Sequence, residues 1–287
     1  MKSTDSTGVL YMASTPIGNL EDVSDRFKTS IMSADAVICE SPQHSMRLFS
    51  GLGVQPKRVR KLTDHQTPSQ IAQLVDELMG SAITLYITDA GTPCISDPGH
   101  RLVAMAHERG VKVSVLPGPC AAVAALVMSG YDVMPFQFHG FLPVKPGPQR
   151  QLWLSIRHDP MVHVFYESPR RLLATLNCMA DVYGFDQHIF IVKEMTKIHE
   201  RYWRGCIRSV MGSLTDDLVR GEFVLVLPIT EVKDSLEAVD PSTQSLMTAL
   251  HVQSVPFRSA LNVVLATTDM PKNTVYRWLS DIYGDKA

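Results

Sequence analysis

At 287 residues the chain is long enough for one large or two ordinary domains, each with its own core. Its 45% hydrophobic and 20% charged content suits a soluble globular protein, and 27 Lys plus Arg against 29 Asp plus Glu exclude a global basic field, so nucleic-acid binding must rest on local patches. Five scattered cysteines without a C-x-x-C pair argue for a reducing compartment and against a zinc site; the start lacks a signal-peptide run, and the longest apolar run, around Cys120–Met128, is too short for a bilayer, so a cytoplasmic protein without membrane contact is expected.

Gly8–Ser14 predicts a first strand, followed by the shaped loop Thr15-Pro16-Ile17-Gly18-Asn19. This loop is not G-x-G-x-x-G, so a Rossmann dinucleotide site is unsupported. Ser24 caps a helix running to about Ser33, and Ala36–Cys39 is a second strand. Glu40-Ser41-Pro42-Gln43-His44 leads into a short helix ending near Gly51 or Gly53. Val59–Leu62 is a third strand, inside the densest basic cluster of the chain: Lys57, Arg58, Arg60 and Lys61. That cluster reads equally well as a solvated strand edge or as a phosphate-facing patch. Thr67-Pro68-Ser69-Gln70 carries a capping box with Pro in the first turn, and Ile71, Leu74, Val75 and Leu78 form the buried face of the helix that Gly80 ends.

The stretch Ile83–Gly99 organises the first half. Ile83–Thr88 is a buried strand, and Asp89-Ala90-Gly91-Thr92-Pro93 is a small-residue loop. A helix then follows, with Asp97 as N-cap, Pro98 as its first residue and Leu102, Val103 and Ala106 as its apolar stripe. Ordinary strand-to-helix connections need only a few residues. A longer one, with two Asp and two Pro, reads as a ligand loop at the carboxyl edge of an open sheet. Val111–Leu116 is a fifth strand after Gly110. Alternating strands and helices over Gly8–Pro117 predict a largely parallel sheet with helices on both faces.

Pro117-Gly118-Pro119-Cys120-Ala121 is a third shaped loop, opening onto an Ala-rich helix that closes at Gly130. The loops after strands one, four and five are therefore expected to converge on one crevice. In the second half Phe136–Leu142 and Met161–Glu167 are strands, Pro143–Pro148 is a loop containing Lys145, and Ser168-Pro169 caps a helix with Leu172, Leu173, Leu176 and Ala180 on one face. His188–Met195 and Glu200–Ile207 are neighbouring strands, followed by helix Ser209–Val219 and strand Phe223–Ile229. Past Glu231 come three short helices, beginning at Asp240-Pro241, at Pro256 and at Lys272. With Lys272, Arg277 and Lys286 there, a helix-turn-helix and a packing or dimerising role both stay open.

Six motifs together carry a resemblance: S-T-P-I-G-N-L-E-D (14–22), D-A-G-T-P-C-I-S-D-P-G (89–99), P-G-P-C-A (117–121), G-F-L-P (140–143), Y-E-S-P-R-R (166–171) and R-G-E-F-V-L-V (220–226). In this order and spacing the chain resembles the small-subunit ribosomal RNA 2′-O-ribose cytidine methyltransferases, a branch of the tetrapyrrole-methylase-like superfamily. The resemblance runs from about Gly8 to Pro228, and the helical tail is also similar.

It implies an α/β, two-domain tetrapyrrole-methylase-like (class III methyltransferase) fold with a small helical C-terminal appendage. The expected divisions are 1–118, a parallel α/β domain; 119–232, a mixed α/β domain; and 233–287, a helical tail. It further implies a homodimer that binds S-adenosylmethionine between the domains. By motif, the cofactor residues are Pro16, Asp89, Gly91, Thr92, Ile95, Ser96, Pro117, Gly118, Cys120, Ala121, Tyr166, Glu222 and Phe223, with Gly221 in the same segment. A sulfonium ligand with an ammonium group wants an acidic residue and carbonyls, and adenine wants an apolar slot.

The chain departs from the family on the substrate side. Cys39-Glu40-Ser41-Pro42-Gln43 replaces C-E-D-T-R, Thr63-Asp64-His65-Gln66-Thr67 stands where an H-N pair is usual, and Pro143-Val144-Lys145 replaces P-R-K. The implied substrate is small-subunit (16S) ribosomal RNA or the assembled small subunit, with Lys57, Arg58, Arg60, Lys61, Arg150, Arg170 and Arg171 as candidate RNA contacts.

A ribose hydroxyl is a poor nucleophile, so a base or positioning acceptor is expected. Glu167 is the first candidate, at a strand end facing the cleft; a cap or ion-pair partner for the Arg170/Arg171 helix is the equal alternative. Lys145 and Glu40 follow, then Asp22 and the Lys193/Glu194 pair, while His44 and His65 read as surface or structural. Two other functions stay open: methylation of a small tetrapyrrole-like molecule, and a non-catalytic cofactor-binding module. No metal is expected.

Overall fold

The computed structural model describes residues 8–63, 65–214, 221–229, 240–268, 270 and 272–283. Its first sheet is built from β1 (Val9–Ala13), β2 (Ala36–Cys39), β3 (Val59–Lys61), β4 (Ile83–Ile87) and β5 (Lys112–Leu116). Their order is β3-β2-β4-β1-β5 and every pairing is parallel. Side chains alternate across a strand, so this sheet buries two apolar faces. Val37, Cys39, Leu85 and Ile87 pack with Phe27 and Ile31 of α1 (Asp25–Ser33) and Phe49 of α2 (Pro42–Leu52). On the other face, Leu10, Met12, Ile38 and Tyr86 meet α3 (Pro68–Met79) and α4 (His100–Glu108) through Ile71, Leu74, Val75, Leu78, Leu102 and Ala106. The Val, Leu, Ile, Phe and Met side chains among these contribute about 1.5–3 kcal/mol each by leaving water.

The caps form as the sequence predicts at α1, where Ser24 Oγ accepts from the Phe27 N–H at 3.1 Å. At α3 Thr67 and Gln70 complete a reciprocal capping box. The start of α4 differs. Asp97 is not its N-cap and Pro98 is not its first residue; the helix begins at His100, with Gly99 in the cap position and no side-chain cap. A contact from outside the segment explains the shift. The Tyr86 hydroxyl donates to the Pro98 carbonyl at 2.9 Å, and a Cβ on Gly99 would lie 2.7 Å from Tyr86 Cε1. Gly99, at φ +129°, is thus pressed onto the ring of the central strand in a conformation that only glycine adopts easily.

The second sheet contains β6 (Phe136–Phe141), β7 (Val162–Glu167), β8 (His188–Lys193), β9 (Arg201–Cys206) and β10 (Phe223–Leu227), in the order β6-β7-β10-β8-β9. Only β6–β7 is parallel. Val224 and Val226 face α5 (Ala121–Ser129), while Phe223, Leu225 and Leu227 face the core built with α6 (Pro146–Ser155), α7 (Leu172–Tyr183) and α8 (Ile207–Ser213). The expected boundary at residue 118 falls between β5 and α5; both sheets belong to one compact unit, residues 1–230.

Here too the helices differ from expectation. The second half of the expected Pro143–Pro148 loop is helix: α6 starts at Pro146, with Lys145 at its N-cap, because proline suits the first turn, where no N–H is needed. A single 3-10 turn, Pro169–Arg171, separates Ser168 from α7; Leu172, Leu176 and Ala180 are buried, whereas Leu173, expected on the same face, lies about 100° round the helix from Leu172 and is 48% exposed. Helix α8 begins at Ile207 rather than Ser209 and ends at Ser213, with Leu214 already extended at its C-cap; residues 215–219 of the expected helix lie outside the described residues.

The second unit, residues 231–287, holds α9 (Pro241–Val252), α10 (Phe257–Thr267) and α11 (Lys272–Tyr283) around Met247, Ala260, Leu261, Val264, Val275 and Leu279. Asp240 caps α9 by accepting from the Ser242 and Thr243 N–H groups. Hydrogen bonds from the Ser242 and Thr243 hydroxyls, with the backbone bonds adding to them, hold its carboxyl down at about 2. The side chains of Lys272 and Arg277, and Lys286 altogether, lie outside the described residues.

Candidate functional site

Strands β4, β1 and β5 are neighbours, so the three shaped loops leave one edge of the sheet side by side. Hydroxyl groups stitch them together. Backbone bonds join Thr15 and Gly91 in both directions, at 2.9 and 3.2 Å. The Thr15 hydroxyl donates to the Thr88 carbonyl at 3.2 Å, and the Thr88 hydroxyl to the Gly91 carbonyl at 3.2 Å. Thr92 reaches the third loop, donating to the Pro119 carbonyl at 2.9 Å, and its oxygen lies 3.1 Å from Ser14 Oγ. Within this network Cys94 and Ser96 hold φ of +69° and +65°. Non-glycine residues keep that conformation only where the surroundings over-determine it.

The loops and the second sheet enclose a cavity of about 440 Å³, within the range of small-molecule sites, roughly 300–1,000 Å³. Of the residues that the sequence marks for a cofactor, Asp89, Gly91, Thr92, Ile95, Ser96, Cys120, Ala121, Tyr166, Glu222 and Phe223 line it, with Gly221. Pro16, Pro117 and Gly118 are not in that lining. The sequence reading missed Ile17, Ala90, Asp97, Phe141, Ser168, Pro169 and Val224. Ile17 sits inside a motif already singled out, and the helix-cap role that the sequence suggests for Asp97 hides its place in the cavity.

Asp89 carries the clearest chemical signal. Its Oδ1 is buried and has no hydrogen-bond partner among the described residues, which costs about 1–3 kcal/mol unless a ligand supplies a donor. Tyr166 forms part of the opposite wall, and burial pushes its phenol well above the ordinary range, so it stays neutral. At one end, Glu194 Oε1 accepts from Lys197 Nζ and from the Glu222 N–H, both at 2.9 Å, and Lys197 reaches the Glu222 carboxylate at 3.1 Å. Burial opposes the charge on Glu194 and on Lys197, but the mutual hydrogen bonds outweigh it. Glu194 therefore sits below the usual carboxyl range and Lys197 above the usual amine range.

The candidate catalytic residues separate. Glu40 and Glu167 line the cavity; Lys145 is exposed and is not in the lining. Both Glu167 oxygens are engaged: Oε1 with the Ser168 N–H and Arg171 Nη2, each at 2.6 Å, and Oε2 with the Thr175 hydroxyl at 2.7 Å. Gln149 of α6 donates to the same Thr175 oxygen at 2.9 Å. The ion pair expected as one of the two roles for Glu167 is present, made with Arg171. Asp22, His44 and His65 are exposed, and Lys193 is buried.

Among the candidate RNA contacts, Arg171 is committed inward, donating also to Ser168 Oγ and the Leu142 carbonyl. Lys57, Arg58, Arg60 and Lys61 lie on and beside the edge strand β3. Lys57 pairs with Asp35 at 3.5 Å, and Arg58 and Arg60 share Glu77 at 3.4 and 3.0 Å. Exposed pairs like these are worth about 0–1 kcal/mol each, and they neutralise much of the local charge. Lys61, Arg150 and Arg170 are exposed. Among the described residues no three His, Cys, Asp or Glu side chains are grouped to hold a metal ion, and no helix is long and apolar enough to cross a membrane.

Residues 9–210 match the family described as Tetrapyrrole (Corrin/Porphyrin) Methylases. The chain is 35% identical to the "Ribosomal RNA small subunit methyltransferase I" of Haemophilus influenzae, over 96% of this chain and 97% of that one. It is 30% identical to the protein of the same name from Synechocystis sp., over 97% of this chain and 99% of that one. Solved structures with a similar fold include diphthine synthase, with a TM-score of 0.59 and 12% identity over 77% of this chain and 89% of that one. Another is the uroporphyrin-III-C-methyltransferase of Thermus thermophilus, with a TM-score of 0.52 and 14% identity over 77% of this chain and 95% of that one.

Proposed function

From the premise that this chain belongs to the tetrapyrrole methylase family and is an S-adenosylmethionine-dependent methyltransferase, we propose that it methylates the 2′-hydroxyl of a cytidine ribose in small-subunit (16S) ribosomal RNA. The observation that carries the reading is the cavity at the edge of β4, β1 and β5, with the unpartnered Asp89 Oδ1 inside it. The residues fit the cofactor. Asp89 offers an acceptor to an ammonium or ribose hydroxyl, Thr92 and Ser96 add polar atoms, and Ile17, Ile95 and Val224 give an apolar slot for a purine. When bound, S-adenosylmethionine supplies an electrophilic methyl group on a sulfonium.

The protein's own part is alignment and exclusion of water. The stitched loops hold one wall. The Gln149–Thr175–Glu167–Arg171 network holds the end of β7, so Glu167 is a positioning residue. Glu40, at the carboxyl end of β2, takes the role of acceptor for the proton of the attacking hydroxyl.

The substrate follows the relatives' name. Their match covers 97% of this chain and so extends into the helical unit, beyond the family match that ends at residue 210. That favours RNA over a tetrapyrrole. The working form is a homodimer in the cytoplasm; Val115 of the edge strand β5, Val123 and Val127 of α5 and Phe136 of the edge strand β6 are exposed apolar side chains suited to a second copy. Mapping ribose methylation of small-subunit RNA in cells with and without the gene tests the proposal: one methylated cytidine should be lost with the gene. An unchanged map refutes it.

A further inference from the structure

Strand β6 does not keep its alternation. Phe138 pairs with Val164 and Phe141 with Tyr166, so three steps on β6 match two on β7. This is a bulge, at His139-Gly140. In a regular strand Phe138 and Phe141 would face opposite sides of the sheet; the extra residue returns Phe141 to the side of Tyr166 and aims it at the cavity. Gly140 makes the bulge with φ +68°, and a Cβ there would lie 3.0 Å from Ser96 Oγ in the wall of the cavity.

The bulge is held on every side. His139 Nε2 lies 2.9 Å from His163 Nδ1 and its ring stacks on Phe165, with centroids 4.7 Å apart and planes at 13°. Just past Phe141, the Leu142 N–H donates to the Tyr166 carbonyl and the Leu142 carbonyl accepts from Arg171. The Leu142 side chain is buried in the core beneath. Phe141 itself stays 62% exposed, set edge-on to Tyr166 with centroids 5.5 Å apart and planes at 68°. A rigid backbone thus presents a phenyl ring at a small-molecule cavity and leaves most of it in water.

We propose that Phe141 is the platform on which the base of the target nucleotide stacks, so that it sets the position of the ribose hydroxyl in the cavity. This rests on the RNA reading above. A nucleotide must leave its neighbours for its 2′-hydroxyl to enter a cavity of this size, and an unstacked base is received on aromatic side chains. Every base has a π-face, so the ring supplies placement, while discrimination of cytosine falls to polar groups nearby.

The test is steady-state methyl transfer to small ribosomal subunits purified from cells lacking the gene, with cofactor affinity measured by calorimetry and mass by light scattering. Phe141→Leu and Phe141→Ala should raise KM for subunits about tenfold, as expected for the loss of one stacked base. Cofactor Kd and oligomeric mass should stay as in the wild type, and Phe141→Trp and Phe141→Tyr should remain within about threefold. A leucine variant as good as the wild type overturns the platform. So does a cofactor Kd that rises in step with KM, which would place the ring against adenine, or a change in mass, which would place it in a subunit interface. A wild-type enzyme inactive on subunits overturns the RNA reading together with the platform, whereas an active wild type with an equally active leucine variant removes the platform alone.

Discussion

The Thr92 hydroxyl donates to the Pro119 carbonyl at 2.9 Å, tying the loop after β4 to the loop after β5 directly beside the cavity. The two residues are 27 positions apart in the chain, and this side chain links their loops directly. Thr92→Val keeps the shape and removes the donor. It should cost about 0.5–1.5 kcal/mol of stability, read from urea unfolding, and should weaken S-adenosylmethionine binding. Thr92→Ser should restore both.

Asp89→Ala tests the cofactor wall. If the buried Oδ1 receives a donor from the ligand, the variant should bind S-adenosylmethionine about 1–3 kcal/mol more weakly by calorimetry. Undiminished binding would remove Asp89 from the site.

Glu167 should behave as an anchor. Glu167→Gln breaks the ion pair with Arg171, which is itself partly solvated, and should destabilise the protein by about 1–3 kcal/mol. Cofactor Kd should change little. A loss of turnover without any loss of stability would instead place the carboxylate in the chemistry.

These residues show what the sequence makes legible. The buried strands are written in alternating or continuous apolar runs such as Val9–Ala13 and Phe223–Leu227, and the three loops in their Pro and Gly. Local chemistry suffices for both. The start of α4 depends on Tyr86 reaching Pro98, and the partner of Glu167 depends on where α7 docks; neither contact has a local signature. Pro146-Gly147-Pro148 resembles a loop because proline both breaks helices and begins them. The aim of Phe141 follows from one glycine bulge, for which F-H-G-F was the available sign.

The paired imidazoles give a pH dependence. Burial, reinforced by His163, lowers His139 to about 4, and burial lowers His163 as well, while Asp159 works against both shifts. In the unfolded chain a histidine takes up its proton near 6.5. Between about pH 6.5 and 4 the unfolded state therefore binds more protons than the folded one, and stability falls as pH falls. Well above pH 6.5 the unfolded histidines are neutral too, and this contribution is complete. Thermal unfolding should show a shallower loss between pH 6.5 and 4.5 in His139→Phe than in the wild type; parallel curves would contradict this.

The most direct measurement is transfer of a labelled methyl group from S-adenosylmethionine, by the purified protein, to small ribosomal subunits isolated from cells without the gene, followed by digestion of the RNA to nucleosides. The account expects the label in 2′-O-methylcytidine at a single position, and its disappearance when Asp89 is replaced. Label in a base rather than a ribose, or transfer to a tetrapyrrole and none to the subunit, would contradict it.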